Sequence, residues 1–328
     1  MKVVVTGGAG FLGSRLARAL LERGTLKDGE GRDQPISKLT LIDVTEPSAI
    51  SDSRVARITG DISDPALLKS VIDPDTGAIF HLAAIVSGMA EADFDLGMRI
   101  NVDATRSLLE LCRAAGNRPR VVFTSSVAVF GGELPPVLND TTALNPQTSY
   151  GVEKAIGELL VADYTRRGFI DGRSLRLPTI TVRPGRPNAA ASSFASGIIR
   201  EPLSGAHAIC PVGRDARIWV ASPRTAIAAL INANDLPFVA LGNRRWINVP
   251  GLSVTAGEMA DALERVAGPD VARRIRWERD ERIERMVVGW PPAIDNSRAV
   301  HLGFEVDENF DQIVRRYIEE DMRAAVRR

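Results

Sequence analysis

Through the first 180 residues, short runs of β-branched and apolar side chains alternate with longer stretches whose apolar positions recur near every third or fourth residue. The runs at 2–6, 39–43, 57–59, 78–84, 120–126 and 174–180 predict strands, and the stretches at 10–22, 65–71, 102–115 and 149–167 predict helices. In the third of these helices Leu108, Leu109, Leu111, Cys112 and Ala115 fall near a 3.6-residue period, and Gly116 supplies the stop. Strand and helix in regular alternation mean βαβ crossovers. The fold class that follows is α/β, a Rossmann-type doubly wound parallel sheet with helices on both faces.

The pattern changes after Val182. Pro184-Gly185-Arg186-Pro187-Asn188 is a turn-rich break, and the Ala- and Ser-rich sequence beyond it carries fewer strand signals. Residues 245–249 read as one more strand, closed by Pro250-Gly251. A helix is marked from Ser253 or Thr255 through Val266 and stopped by Gly268-Pro269. The charged run 273–285 interleaves both signs, the pattern of a solvated helix face, and a last amphipathic helix is expected over 310–326. The expected organisation is a Rossmann domain over 1–183, completed by a strand near 244–250. A smaller C-terminal α+β substrate lobe then takes 184–243 and 251–328.

Composition narrows the chemistry. In 328 residues, 41 Lys and Arg balance 41 Asp and Glu for a formal net charge of zero. No overall field draws such a chain to nucleic acid or to an anionic membrane. Hydrophobic residues at 45% and charged residues at 25% describe a globular chain rather than a disordered one. The 2 Cys, Cys112 and Cys210, and the 3 His, His81, His207 and His301, offer neither a disulfide framework nor zinc-ligand spacing, so no metal is expected. The first apolar stretch, Val3 to Val5, is far shorter than a secretion-signal core, and no window approaches the ~20 apolar residues of a membrane span. A cytoplasmic protein is the expectation.

The candidate chemistry begins at the first strand. Thr6-Gly7-Gly8-Ala9-Gly10-Phe11-Leu12-Gly13 follows it directly and opens the first helix. Glycine serves there where the backbone turns tightly, where it approaches a pyrophosphate, and where helix packs on strand. The phosphates then meet the positive end of a helix. Asp43 ends the second strand, where a carboxylate accepts from the adenosine ribose hydroxyls and repels a 2′-phosphate, favouring NAD over NADP. Its distance from Gly13 exceeds the ~20 residues usual for this motif; the polar residues 25–38 read as an insertion that accounts for the excess.

Tyr150 and Lys154 stand four apart, on one face of a helix whose start is set by Pro146 and Ser149. The preceding strand delivers Ser125 and Ser126 to its C-terminal end, where ligands bind in open α/β sheets. A phenol with an unperturbed pKa of ~10 is a poor base at neutral pH, and a nearby ammonium together with a nicotinamide cation favours phenolate. Tyr150 would then take a proton from a substrate hydroxyl as hydride leaves the carbinol carbon, with Ser126 bonded to the same oxygen.

These residues, in this order, resemble the extended short-chain dehydrogenase/reductases, the NAD-dependent epimerase/dehydratase family, over essentially the whole chain. The likeness rests on Thr6 to Gly13, Asp43, Gly60-Asp61-Ile62, His81-Leu82-Ala83-Ala84, Asn101-Val102, the stretch Thr124 to Gly131, and Tyr150 to Lys154. It implies NAD as cofactor, with Gly7, Gly10, Phe11, Leu12 and Gly13 at the pyrophosphate and Asp43 at the adenosine ribose. Asp61 and Ile62 would flank adenine, Leu82, Ala83 and Ala84 would line the ribose, and Lys154 would hold the nicotinamide ribose. Asn101 would organise the site, and Pro178 and Ile180 would meet the nicotinamide. Ser126, rather than Ser125, matches the catalytic serine, completing a Ser126, Tyr150 and Lys154 set. Phe130 departs from the family, which usually has tyrosine there. Family members often dimerise through helices equivalent to 102–115 and 149–167, which implies a homodimer.

Within the family the sequence is similar to dehydrogenases of four-carbon sugar acids at Ala84-Ile85-Val86-Ser87-Gly88, at Phe130-Gly131-Gly132-Glu133, and from Leu177 to Asn188. The reaction implied is oxidation at C2 of D-erythronate to the 2-oxo acid with NAD. Around Ser87 the chain also resembles short-chain L-threonine dehydrogenases, where that serine lies near the substrate carboxylate. Ser87, Ser126 and Thr179 are thus candidate substrate contacts. A carboxylate needs a cationic anchor, for which Arg183, Arg186 and Arg217 are the candidates. A nucleotide-sugar epimerase or dehydratase that retains its NAD is the other reaction class, although 177–188 lacks the Asn-Pro pattern of many sugar epimerases. A non-catalytic NAD sensor would have no use for the proton path of Ser126, Tyr150 and Lys154.

Overall fold

A computed structural model describes residues 1–47, 50–185 and 190–322 of the chain. Seven strands form its central sheet: β1 (Lys2–Thr6), β2 (Lys38–Asp43), β3 (Val55–Thr59), β4 (Thr76–His81), β5 (Arg120–Ser126), β6 (Asp171–Leu177) and β7 (Trp246–Asn248). The order across the sheet is β7-β6-β5-β4-β1-β2-β3, and every pairing is parallel. Side chains alternate across β1: Val3 and Val5 enter the core on one face and Val4 the core on the other. On the Val4 side lie α2 (Ala104–Ala115), through Leu108, Leu109 and Cys112, and α3 (Ser149–Arg166), through Val161. On the Val5 side lies α1 (Phe11–Arg23), through Leu16 and Leu20. The helix Pro223–Asp235 joins that face through Ile227, Leu230 and Ala233, although it falls within 184–243.

A separate core, built on Phe194, Ile198, Met259, Leu263, Phe310, Ile313 and Val314, holds the C-terminal region together. Thr255 caps its Ala256–Ala267 helix in a reciprocal capping box with Glu258, and the strand Leu252–Thr255 runs straight into that cap. Three expectations from the pattern are corrected. The run 174–180 splits at Pro178, which has no N–H to donate. β6 ends at Leu177, and Thr179–Ile180 pairs instead with Arg217–Ala221 in a three-stranded sheet. The run 78–84 leaves the sheet at His81, so Leu82, Ala83 and Ala84 form irregular backbone beside the cleft. The charged run 273–285 is a short strand, Ile275–Trp277, with Ile275 buried, followed by the helix Glu281–Val288.

The polar insertion 25–38 contains an antiparallel pair, Thr25–Lys27 with Asp33–Pro35. The last helix, Phe310–Tyr317, passes into a π-helical turn, Ile318–Met322, and the expected end at 326 lies outside the described residues. No helix among the described residues is long and apolar enough to cross a membrane.

Candidate active site

The strand order reverses between β4 and β1, and a cleft of about 460 Å³ opens at the carboxyl ends of the strands there. Its floor is the glycine turn. Gly7 has a φ of +73°, and a Cβ there would press on the backbone of Leu82 and Ala83. A Cβ on Gly13 would collide with the Gly7 carbonyl oxygen, so α1 can start this close to β1 only with glycine at 13. Gly10 caps α1 without any side-chain bond, leaving the first N–H groups of the helix for a ligand. Asp43, half-buried at the tip of β2, accepts from Ala9 N at 3.0 Å, which ties the tip of β2 to the turn. The turn, its uncapped helix end and the carboxylate beside them fit a dinucleotide.

On the opposite side of the cleft stand Ser126, Tyr150 and Lys154. Thr148 caps α3, accepting from Gly151 N at 3.1 Å, and so places Tyr150 on the first turn with Lys154 one turn further. Lys154 is buried at 2% exposure, its Nζ 4.8 Å from the Phe123 ring centre and 5.6 Å from that of Tyr150. Burial pulls this ammonium down to about 8, against the pull of the Glu153 and Glu158 carboxylates. Burial pushes the Tyr150 phenol up to about 12, opposed by the Arg183 guanidinium and by a hydrogen bond from Ser126. Arg183 is thus a cation that favours deprotonation of Tyr150, against the effect of burial. Both Ser125 and Ser126 line the cleft, but the Ser125 hydroxyl is committed to Glu158 at 2.5 Å, and Glu158 is held by Arg176, whereas the Ser126 hydroxyl bonds to Tyr150.

Gly7, Gly10, Phe11, Leu12, Gly13, Leu82, Ala84, Pro178, Ile180 and Arg183 also line the cleft. Other sequence candidates stand elsewhere. Asp61 accepts from Ser63 N at 2.8 Å in a tight turn, Ile62 is 4% exposed within the core, and Ala83 packs toward the Val4 side. Asn101 is buried behind the wall, bonded to both backbone groups of Ile85. Ser87 opens a short helix, Ser87–Ala92, and Thr179 belongs to the small sheet; neither reaches the cleft surface. Arg217 is exposed at a strand start, its Nη1 3.2 Å from Ser253 O and 3.8 Å from Glu258, away from the lining. Arg186 lies outside the described residues.

Sequence reasoning missed Ser193, Ser196 and Arg200, which complete the far end of the cleft from the helix Ser193–Leu203. Ser196 Oγ accepts from Arg183 N at 3.0 Å and Arg200 Nη1 donates to Arg183 O at 2.8 Å, so this helix holds the Arg183 backbone. The available signal was the four-residue spacing of Ser196 and Arg200, on one helix face just after the break. Phe130 is 3% exposed and packs with Val129, Leu138, Trp219 and Ile294, an apolar cluster with no need of a hydroxyl.

Comparison with known proteins agrees with this geometry. The profile of the NAD dependent epimerase/dehydratase family matches residues 3–230, and the chain belongs to that family. It is 63% identical over 98% of its length to the D-erythronate dehydrogenase of Cupriavidus necator, covering 98% of that protein. It is 48% identical over 98% of its length to the D-erythronate dehydrogenase of Haemophilus influenzae, covering 100% of that protein. Among solved structures, a nucleoside-diphosphate-sugar epimerase from Agrobacterium tumefaciens superposes with a TM-score of 0.93 at 46% identity, covering 98% of this chain and 94% of that one. L-threonine 3-dehydrogenase from Trypanosoma brucei superposes at 0.84 with 27% identity, covering 97% of this chain and 96% of that one.

Proposed function

We propose that this chain oxidises the C2 hydroxyl of D-erythronate to the 2-oxo acid with NAD, releasing NADH. The observation that carries the reading is the pairing of Tyr150 with Arg183 in one cleft beyond the glycine turn. It sets a proton acceptor beside a cation placed for a carboxylate, which is the layout of a 2-hydroxy acid. Two relatives similar over nearly their full length carry the same activity in their names. Bound NAD supplies the hydride acceptor and a ring cation. Gly7, Gly10 and Gly13 with the start of α1 would hold its pyrophosphate, Asp43 its adenosine ribose, and Lys154 its nicotinamide ribose.

On the substrate, Ser126 donates to the C2 oxygen and Tyr150 Oη takes the proton. Arg183 binds the carboxylate: its Nε donates to Ile180 O at 3.1 Å, and its outer nitrogens have no partner among the described residues. The cation also favours the phenolate that the reaction needs. The described lining contains Lys154, Arg183 and Arg200 and no carboxylate. Such a wall suits an uncharged polyol chain and disfavours the ammonium of threonine.

In this division of labour NAD sits on 1–183 and the strand near 244–250, and the lobe at 184–243 and 251–328 selects the substrate. A cytoplasmic homodimer completes the proposal: both cysteines are free and buried, and Val152 and Leu159 stand exposed on α3. The test is NADH formation, followed by absorbance, with D-erythronate, its epimer L-threonate, L-threonine and a nucleotide sugar. D-erythronate alone giving net NADH is the expected result; NADH from threonine but not erythronate, or isomerisation of the sugar without net NADH, would overturn it.

A further inference from the structure

Immediately before Lys154, α3 carries a carboxylate that the proton transfer above does not use. Glu153 is 1% exposed. Its Oε2 accepts from Asn101 Nδ2 at 2.6 Å, and its buried Oε1 has no hydrogen-bond partner. Glu158, the next buried acid on the helix, is instead held by the Arg176 guanidinium at 2.6 Å. A buried carboxylate with an orphaned oxygen is costly, and an apolar side chain of similar size would avoid that cost. Space has been left for it nonetheless: a Cβ on Gly97 would collide with Glu153 Oε1.

Asn101 connects this acid to the cleft wall. Its Oδ1 accepts from Ile85 N at 2.8 Å and its Nδ2 donates to Ile85 O at 3.0 Å, fixing the backbone between Ala84 and Val86, both of which line the cleft. Asn101 itself sits in a π-helical turn, Met98–Asp103, an irregularity that often marks a functional position. Its carbonyl accepts from Thr105 Oγ1 at 2.7 Å, Thr105 Oγ1 meets His81 Nε2 at 2.9 Å, and His81 Nδ1 meets Thr6 Oγ1 at 2.7 Å. One buried chain of contacts thus runs from the end of β1, beside the glycine turn, to Glu153.

We propose that Glu153 is a positioning residue for the oxidation: its carboxylate holds the Asn101 clamp on Ile85 and acts as counter-charge to the Lys154 ammonium. The inference rests on the roles proposed above, Tyr150 as proton acceptor and Lys154 at the nicotinamide ribose. The charges that act on Lys154 are those of Glu153 and Glu158 on its own helix, Glu158 being ion-paired with Arg176 of β6, and Lys154 acts in turn on His81 of β4. His81 is pushed down to about 3 by burial and by Lys154, so it stays neutral and offers no competing charge. Tyr150 faces Arg183, Ser126 and Glu153. Glu153 raises the proton affinity of both Lys154 and Tyr150. Removing its charge therefore moves both titrations toward acid.

The test is Glu153→Gln, which keeps the shape and an acceptor for Asn101. Two profiles against pH are measured: kcat with NAD and D-erythronate, and NAD affinity by calorimetry. In the variant both limbs of the kcat profile are expected to move acid by ~0.5–1 unit, as macroscopic values of the coupled pair. The pH at which NAD affinity weakens is expected to fall by a similar ~0.5–1 unit. Glu153→Asp, which keeps the charge and retracts from Asn101, should leave the limbs in place with kcat lowered about tenfold. Unmoved limbs in Glu153→Gln overturn the counter-charge role even if kcat drops, and wild-type kcat in Glu153→Asp overturns the clamp.

Should Glu153→Gln fail to fold, Gly97→Ala crowds Oε1 with the charge retained; lowered kcat with limbs in place is expected, and wild-type kcat overturns the proposal. Tyr150→Phe keeps the two readings apart. Activity in that variant defeats the acid–base assignment, whereas an inactive Tyr150→Phe with an unshifted Glu153→Gln defeats only this inference.

Discussion

The two walls of the cleft are fixed by different means. On the glycine side, backbone does the holding: the positive φ at Gly7, the close approach at Gly13 and the bond from Ala9 N to Asp43 leave few side chains any role. On the far side, side chains do it, with Arg183 kept in place by Ser196 and Arg200 from a helix that begins ten residues later. A backbone-built site is tolerant of what surrounds it and intolerant of a single added carbon. A side-chain-built site can be retuned one residue at a time. On the function proposed above, the contrast separates cofactor binding from substrate choice.

Four substitutions probe that contrast, from the largest expected effect down. Tyr150→Phe should lower kcat by ~10³–10⁴-fold, while calorimetry finds NAD affinity within about twofold of wild type, since the phenol oxygen serves the proton and the glycine wall serves the cofactor. Gly13→Ala should raise the NAD Kd by more than ~100-fold, because the Gly7 carbonyl or the start of α1 must move to admit the methyl group. A near-normal Kd there would show that the wall is less rigid than its contacts imply.

Arg183→Met should raise KM for D-erythronate by ~10–150-fold, the worth of a charge-assisted hydrogen bond, with the NAD Kd unchanged. The same change removes the cation that favours the Tyr150 phenolate. Phenol deprotonation then requires higher pH, so the acid limb of the rate profile shifts to alkaline, opposite to the shift expected for Glu153→Gln. Asp43→Asn should have the smallest effect, a loss of ~5–10-fold in preference for NAD over NADP read from the ratio of kcat/KM values. An unchanged ratio would remove Asp43 from cofactor choice.

The glycine turn was legible in the sequence because its constraint is local: strand, turn and helix follow one another directly, whereas Asp43 was read from its place at a strand tip, beyond the 25–38 insertion. Strands β1 and β5 and the start of α3 matched the pattern for the same reason. On the far side Ser126, Tyr150, Lys154 and Arg183 were read from the sequence, but the helix that holds Arg183 was not. Ser193, Ser196 and Arg200 carry no special spacing relative to the glycine turn, and only the packing of Phe194 and Ile198 into the second core turns their helix toward the cleft. Arg217 misled because a residue type suited to an anion says nothing of where its strand starts. Glu153 was invisible for another reason: an acid beside an active-site lysine on a helix reads as a solvated charge until Gly97 and Asn101 are seen to enclose it.

The helix Pro223–Asp235 has a bearing on how such a protein can diversify. Because Ile227 and Leu230 cover, beside α1, the same face of the sheet as Val3, Val5, Phe80 and Leu175, a polypeptide cut after residue 183 would leave part of that face open to water. The first 183 residues are therefore not a detachable cassette that could be joined to an arbitrary partner.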